Sequence, residues 1–281
     1  MHSDNYSIQL PRQFMARVIY GWILIMLCYF YLHNSLVHQW HQPPLILPEA
    51  DNVYWLLHIL YIPQFIVGSK ITACVFDGIM IGSTLLFFIF PRQIIFCAIS
   101  IVCFWLFQIM FGTTAGHHYA HVGYLIVPIP FLFLNKERFS LTWQLIRYWI
   151  LFLFVCAGLY KFYYGGFFHT VNMSSLMRTY FDEQSFRGQM LIYISAHPAF
   201  AQIFYQIATI LETICIVGFF TRRFDIWLAI GLLLFNLGNL FIMGIPFWEN
   251  SFVICVLLPW NRIYQYFEQI IKARSLRRLN A

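Results

Sequence analysis

The sequence predicts an all-α, polytopic integral membrane protein with about eight transmembrane helices and additional interfacial helices. Three observations support this fold class. Hydrophobic residues make up 60% of the chain. Only 10% of the residues are charged, whereas soluble domains average about 25%. Apolar runs of roughly 20 residues recur along the chain, and roughly 20 helical residues cross about 30 Å of hydrocarbon.

The predicted spans are separated by short polar or proline-containing joints. Pro91-Arg92 separates the second span from the third, and Asn135 to Arg138 separates the fourth from the fifth. Pro198 suits the first turn of the sixth helix. Pro128 and Pro130 are expected to kink the fourth. The eight predicted segments are 17–36, 71–90, 93–112, 118–134, 143–162, 198–220, 224–245 and 247–265.

Two further segments are amphipathic or too short to span. Residues 53–67 form a short apolar stretch that contains Pro63, which predicts an interfacial or re-entrant piece. Residues 266–281 carry Lys and Arg opposite an apolar helical face, as expected of a tail on an anionic cytoplasmic leaflet. The predicted organisation is therefore one transmembrane helical domain over 1–265 and a basic amphipathic cytoplasmic tail over 266–281.

Charge placement predicts the orientation of the chain. With an even number of spans, thirteen of the seventeen Lys and Arg residues fall on the side that holds both termini. Cytoplasmic loops of membrane proteins carry this excess of positive charge. Both termini are therefore predicted to be cytoplasmic, in the cell (inner) membrane. The positive charges on the opposite side are Lys70, Lys161, Arg178 and Arg187.

Lys161 and Glu212 are the ionisable residues that most need an explanation at membrane depth. Lys161 follows an apolar helical stretch, and a desolvated lysine that loses its proton is a base. The alternative is a lysine that extends to the outer headgroups. Glu212 lies in the middle of the sixth span, where a carboxylate must be protonated or paired and must face protein or water.

Three histidines open the fourth span. His117 and His121 are four residues apart and share a helix face, whereas His118 points elsewhere. No third metal ligand follows them, so no metal site is expected. Hydrogen bonding to a substrate or to Lys161, or an ordinary interfacial position, remain the alternatives.

Other polar residues inside spans have simpler interpretations. Asn236 is expected to hydrogen-bond between helices, with Gly238 allowing close approach. Asp77, in the second span, has no partner that the sequence identifies. The sequence contains no Walker loop and no other nucleotide-binding or hydrolase motif. Its basic charge is accounted for by topology, so nucleic acid is not an expected partner.

Three stretches resemble the horizontally transferred transmembrane (HTTM) domain family, which is related to the membrane domain of vitamin K-dependent gamma-carboxylase. The histidine stretch 117–123 matches the His-to-Gly spacing of an N-H-x-Y-L-x-G motif, and 157–162 (AGLYKF) is similar to A-G-x-x-K-L. The pair 235–238 and 243–244 resembles F-H-x-G…M-G. The resemblance extends from about residue 13 to residue 262.

The resemblance implies a catalytic Lys161, which would deprotonate a reduced quinone, and an oxyanion-stabilising His118. His117, His121, Glu212 and Asn236 would then line the substrate site. The chain would be a carboxylase-like lyase or oxidoreductase.

Short members of the family give a different expectation, because they resemble the membrane component that matures a secreted sporulation-delaying toxin. The alternative is thus a non-enzymatic component that assists maturation or export of a secreted peptide, together with a neighbouring membrane protein. A transporter that uses Glu212 and Asp77 is a third hypothesis.

Overall fold

The computed structural model describes residues 11–40, 52–115, 121–164, 167–168, 186–243 and 248–279. Within these ranges the chain is all-helical, as predicted. The α-helices are numbered here in chain order. They are α1 (Arg12–Leu32), α2 (Asn52–Ile59), α3 (Ile62–Val67), α4 (Lys70–Ile89), α5 (Ile94–Ala115), α6 (His121–Ile126), α7 (Lys136–Tyr163), α8 (Phe186–Ala196), α9 (Pro198–Ile214), α10 (Val217–Phe220), α11 (Asp225–Met243), α12 (Trp248–Ile254) and α13 (Trp260–Leu279).

Five helical stretches are long and apolar enough to cross a membrane: Arg12–Gln39, Lys70–Ile89, Ile94–Gly112, Lys136–Tyr163 and Pro198–Phe220. They carry exposed apolar side chains at helical spacing, such as Val75 and Ile79 on α4. Shorter apolar helical stretches cover His121–Leu132 and Asp225–Gly238. The predicted number of eight spans is therefore not confirmed.

Proline accounts for two of the interrupted segments. In the predicted fourth span, α6 ends at Ile126 and a 3-10 turn over Ile129–Leu132 follows, so the expected kink is a break. In the predicted eighth span, a 3-10 turn over Cys255–Leu257 ends before Pro259, and α13 begins at Trp260. A proline ring clashes with the preceding turn and removes one backbone donor. Neither segment forms one uninterrupted helix.

Local sequence sets the helix starts. Ser69 caps α4: its Oγ accepts from the Thr72 backbone N–H (3.1 Å), while Thr72 Oγ1 accepts from the Ser69 N–H (3.2 Å). Asn135 Oδ1 accepts from the Glu137 N–H (2.8 Å) at the start of α7. Pro198 is the first residue of α9, as predicted. The 53–67 segment consists of two short helices, α2 and α3, joined at Tyr61 with a φ of 58°.

Two compact units make up the chain. Unit 1 comprises Met1–Trp143 and Trp260–Ala281, and unit 2 comprises Gln144–Pro259. The predicted boundary at residue 265, between a transmembrane domain and a cytoplasmic tail, stays a prediction. The core of unit 1 is aromatic, with Tyr20 packed on Phe87 at 4.5 Å between ring centres. The core of unit 2 is mainly aliphatic and includes Leu151, Val155, Cys215, Leu228, Ala229, Leu232, Ile254 and Leu257.

A buried arginine joins helix ends in unit 1. The Arg12 guanidinium donates to the carbonyl oxygens of Pro91 (2.8 Å) and Phe131 (2.5 Å). Pro91 follows the last turn of α4, and Phe131 lies in the proline-rich 3-10 turn after α6. Carbonyl groups near the ends of helical segments commonly lack a partner in the next turn, and the arginine donates to two of them. Charge counting had treated Arg12 as a topology signal alone.

Candidate functional site

The candidate site lies in unit 2, where α7 and α9 come into close contact. Gly158 of α7 faces Thr209 and Thr213 of α9. A Cβ at position 158 would clash with Thr213 Oγ1, and it would lie 2.8 Å from the Thr213 backbone nitrogen and 3.1 Å from the Thr209 carbonyl oxygen. Only glycine permits this separation, since two of these contacts are to backbone atoms. Small residues allow such close approach between membrane helices.

Lys161 lies one helical turn after Gly158, on the same face of α7. Its Nζ donates to both carboxylate oxygens of Glu212, at 2.6 Å to Oε1 and 2.7 Å to Oε2. The Lys161 side chain is 24% exposed and that of Glu212 is 7% exposed. Glu212 was expected to be protonated or paired, and the structure places the Lys161 amine against it. The alternative in which Lys161 extends to the outer headgroups is not tested.

Two aromatic rings lie near the Lys161 amine. Nζ lies 5.8 Å from the ring centre of Tyr205 on α9 and 5.9 Å from that of Phe235 on α11. Cations are attracted to aromatic faces at these distances. Three helices of unit 2 therefore contribute to the surroundings of one amine.

The neighbouring hydroxyl groups do not compete for the ion pair. Thr209 Oγ1 donates to the Tyr205 carbonyl (2.8 Å), and Thr213 Oγ1 donates to the Thr209 carbonyl (2.8 Å). Such bonds within a helix satisfy a hydroxyl at membrane depth. Hydrogen bonding around Glu212 is consequently dominated by one amine.

The Lys161–Glu212 pair has the groups needed for a proton transfer. An ammonium and a carboxylate in direct contact can exchange a proton, giving a neutral amine and a carboxylic acid. Proton transfer replaces two charges by two neutral groups, which burial favours. The pair thus offers two positions for one proton, the Lys161 amine and the Glu212 carboxylate.

The other predicted site residues fall in different places. Asn236 is 6% exposed on α11, directly after Phe235. His121 is 5% exposed in unit 1, with its ring centre 6.2 Å from that of Trp105. His117 and His118 lie outside the described residues, so their proposed convergence with Lys161 stays a prediction. A Cβ at Gly238 would meet nothing within 4 Å, so the expected close approach lies at Gly158 instead.

A second ion pair in unit 2 was missed by sequence reasoning. Arg147 of α7 donates through Nε (2.7 Å) and Nη2 (2.6 Å) to the two oxygens of Asp225, and Nη2 also donates to the Gly218 carbonyl (2.7 Å). Arg147 is 3% exposed. Asp225 is the first residue of α11, so its charge also favours that helix start. Arg147 had been interpreted only as a cytoplasmic topology charge.

An acid–base pair in unit 1 was also missed. Asp77 on α4 accepts from the backbone N–H of His38 (2.9 Å) and contacts His38 Nδ1 (2.7 Å), both through Oδ2. The topology offered a signal, because His38 follows the first predicted span and Asp77 lies near the start of the second. In that topology both residues would lie near the same end of the bundle. Spacing alone did not connect two residues 39 positions apart.

Among the described residues, no three His, Cys, Asp or Glu side chains are grouped closely enough to hold a metal ion. No family model, curated protein or solved structure matches the chain.

Proposed function

We propose that the chain is a multi-pass protein of the cytoplasmic membrane, with about eight spans and both termini in the cytoplasm. Five described helices have the length and apolar composition of membrane spans. Thirteen of the seventeen positive side chains fall on the side of the termini in this topology. The basic tail over 266–281 then lies on the anionic cytoplasmic leaflet and contacts membrane lipid.

The functional centre in this proposal is the Lys161–Glu212 pair, which moves a proton to and from a lipid-soluble substrate. The chain would be an HTTM-type protein with carboxylase-like or other modifying activity. One observation carries the proposal: the Lys161 Nζ lies 2.6 Å from a Glu212 carboxylate oxygen, between two helices that are long and apolar enough to cross a membrane. Ionisable residues in such positions are costly and mark functional sites in membrane proteins.

Glu212 gives the amine a way to become basic. Proton transfer within the pair breaks an N–H bond of the Lys161 ammonium and forms an O–H bond on Glu212. The neutral Nζ then has a lone pair that can take a proton from a bound substrate. The net result is that the substrate's proton replaces the one now held by Glu212, so charge and atoms balance without a second base.

A reduced quinone fits the chemistry of the surrounding groups. The amine has aromatic rings at 5.8 and 5.9 Å, and these offer apolar surfaces for a flat lipid-soluble ring. When bound, a reduced quinone would supply an acidic phenolic hydroxyl. Lys161 would hold the proton at Nζ, with Glu212 fixing the amine in position.

Lipid analysis of purified variants tests this proposal. The wild-type protein, Lys161→Arg and Lys161→Met are extracted from native membranes, and the lipid quinone retained per chain is measured by mass spectrometry. Arginine keeps the ion pair but does not release its proton, so it separates charge from basicity. The proposal expects quinone to be retained by the wild type and lost in Lys161→Met. It also expects Lys161→Arg to retain quinone and to lose any substrate modification that starts from the deprotonated quinol.

The same pair also favours a second candidate function, that of a non-enzymatic membrane component. Both Glu212 oxygens contact the amine, and α7 contacts α9 through Gly158, as in a purely structural tie between helices. The chain would then assist maturation or export of a secreted peptide with a neighbouring membrane protein. This function predicts co-purification of a partner that survives in Lys161→Arg. Full substrate modification by Lys161→Arg would exclude Lys161 as the base, whereas a partner that co-purifies in the absence of any substrate modification would favour the non-enzymatic function.

A further inference from the structure

The segment after α1 folds back onto α4 in an unusually constrained way. Leu36 and Val37 are fully buried, and Val37–Gln39 forms a 3-10 turn. Gln39 Oε1 accepts from the Leu36 N–H (3.0 Å). Trp40 Nε1 donates to the Ser35 carbonyl (3.0 Å). These contacts fix the backbone on both sides of His38, so its ring has little freedom.

Asp77 fixes the ring itself. One oxygen, Oδ2, accepts from the His38 backbone N–H and lies 2.7 Å from Nδ1. A carboxylate accepts but does not donate, so Nδ1 carries the hydrogen and Nε2 of the neutral ring carries the lone pair. The His38 side chain remains 27% exposed. Among the described residues, Nε2 has no hydrogen-bond partner.

The second carboxylate oxygen leaves the negative charge of Asp77 uncompensated. Asp77 is 3% exposed, and its Oδ1 has no hydrogen-bond partner among the described residues. If Nε2 of His38 takes up a proton, the ring becomes positive, and the buried carboxylate beside it stabilises that charge. The Tyr31 ring is stacked on the imidazole, at 6.4 Å and 30°. The carboxylate of Asp77, the lone pair of His38 Nε2 and the aromatic ring of Tyr31 therefore occur together.

We propose that His38 and Asp77 form a general-base dyad in unit 1 that binds the hydroxyl group of a lipid-soluble alcohol or phenol. The hydroxyl donates to Nε2, the O–H bond breaks, and an N–H bond forms on the imidazole. Asp77 is a positioning residue that stabilises the resulting imidazolium. The ligand oxygen keeps the electron pair and is left as a nucleophile. This site is independent of the proposed role of Lys161.

Acylation by diethyl pyrocarbonate tests the dyad, because the imidazole lone pair attacks a carbonyl carbon of this reagent. The full-length protein in detergent is treated at fixed pH, and modification of each histidine is followed by peptide mass spectrometry. Exposed His33 is the internal reference. We expect His38 to react faster than His33 and to react roughly 10-fold or more slowly in Asp77→Asn. An unreactive His38, or an equal rate in Asp77→Asn, would overturn the proposal.

Ligand protection tests the substrate class. Phenol should protect His38 in a saturable way, whereas anisole, which has a similar shape but no hydroxyl hydrogen, should not. Equal protection by both compounds would show that an apolar ring alone is recognised, which overturns the proposed hydroxyl binding. If neither phenol nor anisole protects His38, the proposed hydroxyl binding is overturned as well.

Two further measurements separate chemistry from folding. His38→Asn retains an N–H in the place of Nδ1, so it should preserve docking on Asp77 and the melting temperature while removing the base. Nitrogen NMR of histidine-labelled wild-type protein needs no variant and should show one neutral His38 tautomer, protonated at Nδ1. A signal from the Nε2-protonated tautomer would overturn the dyad even if Asp77→Asn does not fold.

Discussion

Adding one methyl group at Gly158 should separate α7 from α9. The new Cβ would lie 2.8 Å from the Thr213 backbone nitrogen and 3.1 Å from the Thr209 carbonyl oxygen. The Thr213 hydroxyl can rotate away, but the backbone atoms cannot. Relieving the nitrogen contact to an ordinary separation of about 3.5 Å requires the helices to move apart by roughly 0.7 Å.

The expected cost follows from this displacement. Overpacking of a well-packed contact costs about 1–3 kcal/mol. At roughly 3 °C per kcal/mol for a chain of this size, Gly158→Ala should lower the apparent melting temperature by about 3–9 °C. Moving the helices apart should also lengthen the contact between Lys161 and Glu212, since it lies one turn away. Any activity that depends on the ion pair should fall with it.

Intrinsic-fluorescence melting of the detergent-solubilised protein measures the effect. Gly238→Ala is the matched control, because Gly238 also lies in a helix of unit 2 and a Cβ there would meet nothing within 4 Å. Alanine is the better helix former, so the control should be unchanged or slightly more stable. Equal melting temperatures for the two variants would refute the close approach at Gly158.

Three further predictions concern ion pairs and topology. Lys161→Ala leaves the Glu212 carboxylate buried and unpaired, so it should lower the free energy of unfolding by about 3–5 kcal/mol. The double variant Lys161→Met, Glu212→Leu should recover most of this loss in denaturation assays. A double variant that is less stable than Lys161→Ala would contradict the reasoning. Arg147→Lys keeps the charge but loses the two-point contact with Asp225, so it should cost about 2 kcal/mol; a wild-type melting curve would contradict this. A fluorescent protein that matures only in the cytoplasm should fluoresce when fused to the C-terminus, and a dark, full-length fusion would reverse the proposed orientation.

The fold class and the importance of individual polar residues could be predicted from local sequence. Hydropathy acts over one helix length, so long apolar segments such as Lys136–Tyr163 and Pro198–Phe220 are evident without a structure. Proline acts on its own turn, so a kink near Pro128 was expected, and the structure has a break there. Glu212 was expected to be protonated or paired because a lone carboxylate is costly at membrane depth.

Pairing between distant residues was decided by the tertiary structure. Lys161 and Glu212 are 51 residues apart, and Arg147 and Asp225 are 78 apart. Helix periodicity fixes which face a residue occupies but not which neighbouring helix packs on that face or at what height. Gly158 sets that height for α7 and α9, and the fold of the segment after α1 brings His38 to Asp77. Composition and periodicity thus determined a helical chain with membrane-length segments. Only the packing of those helices determined which charged side chains meet, because such contacts depend on the register between helices. Local sequence does not encode that register.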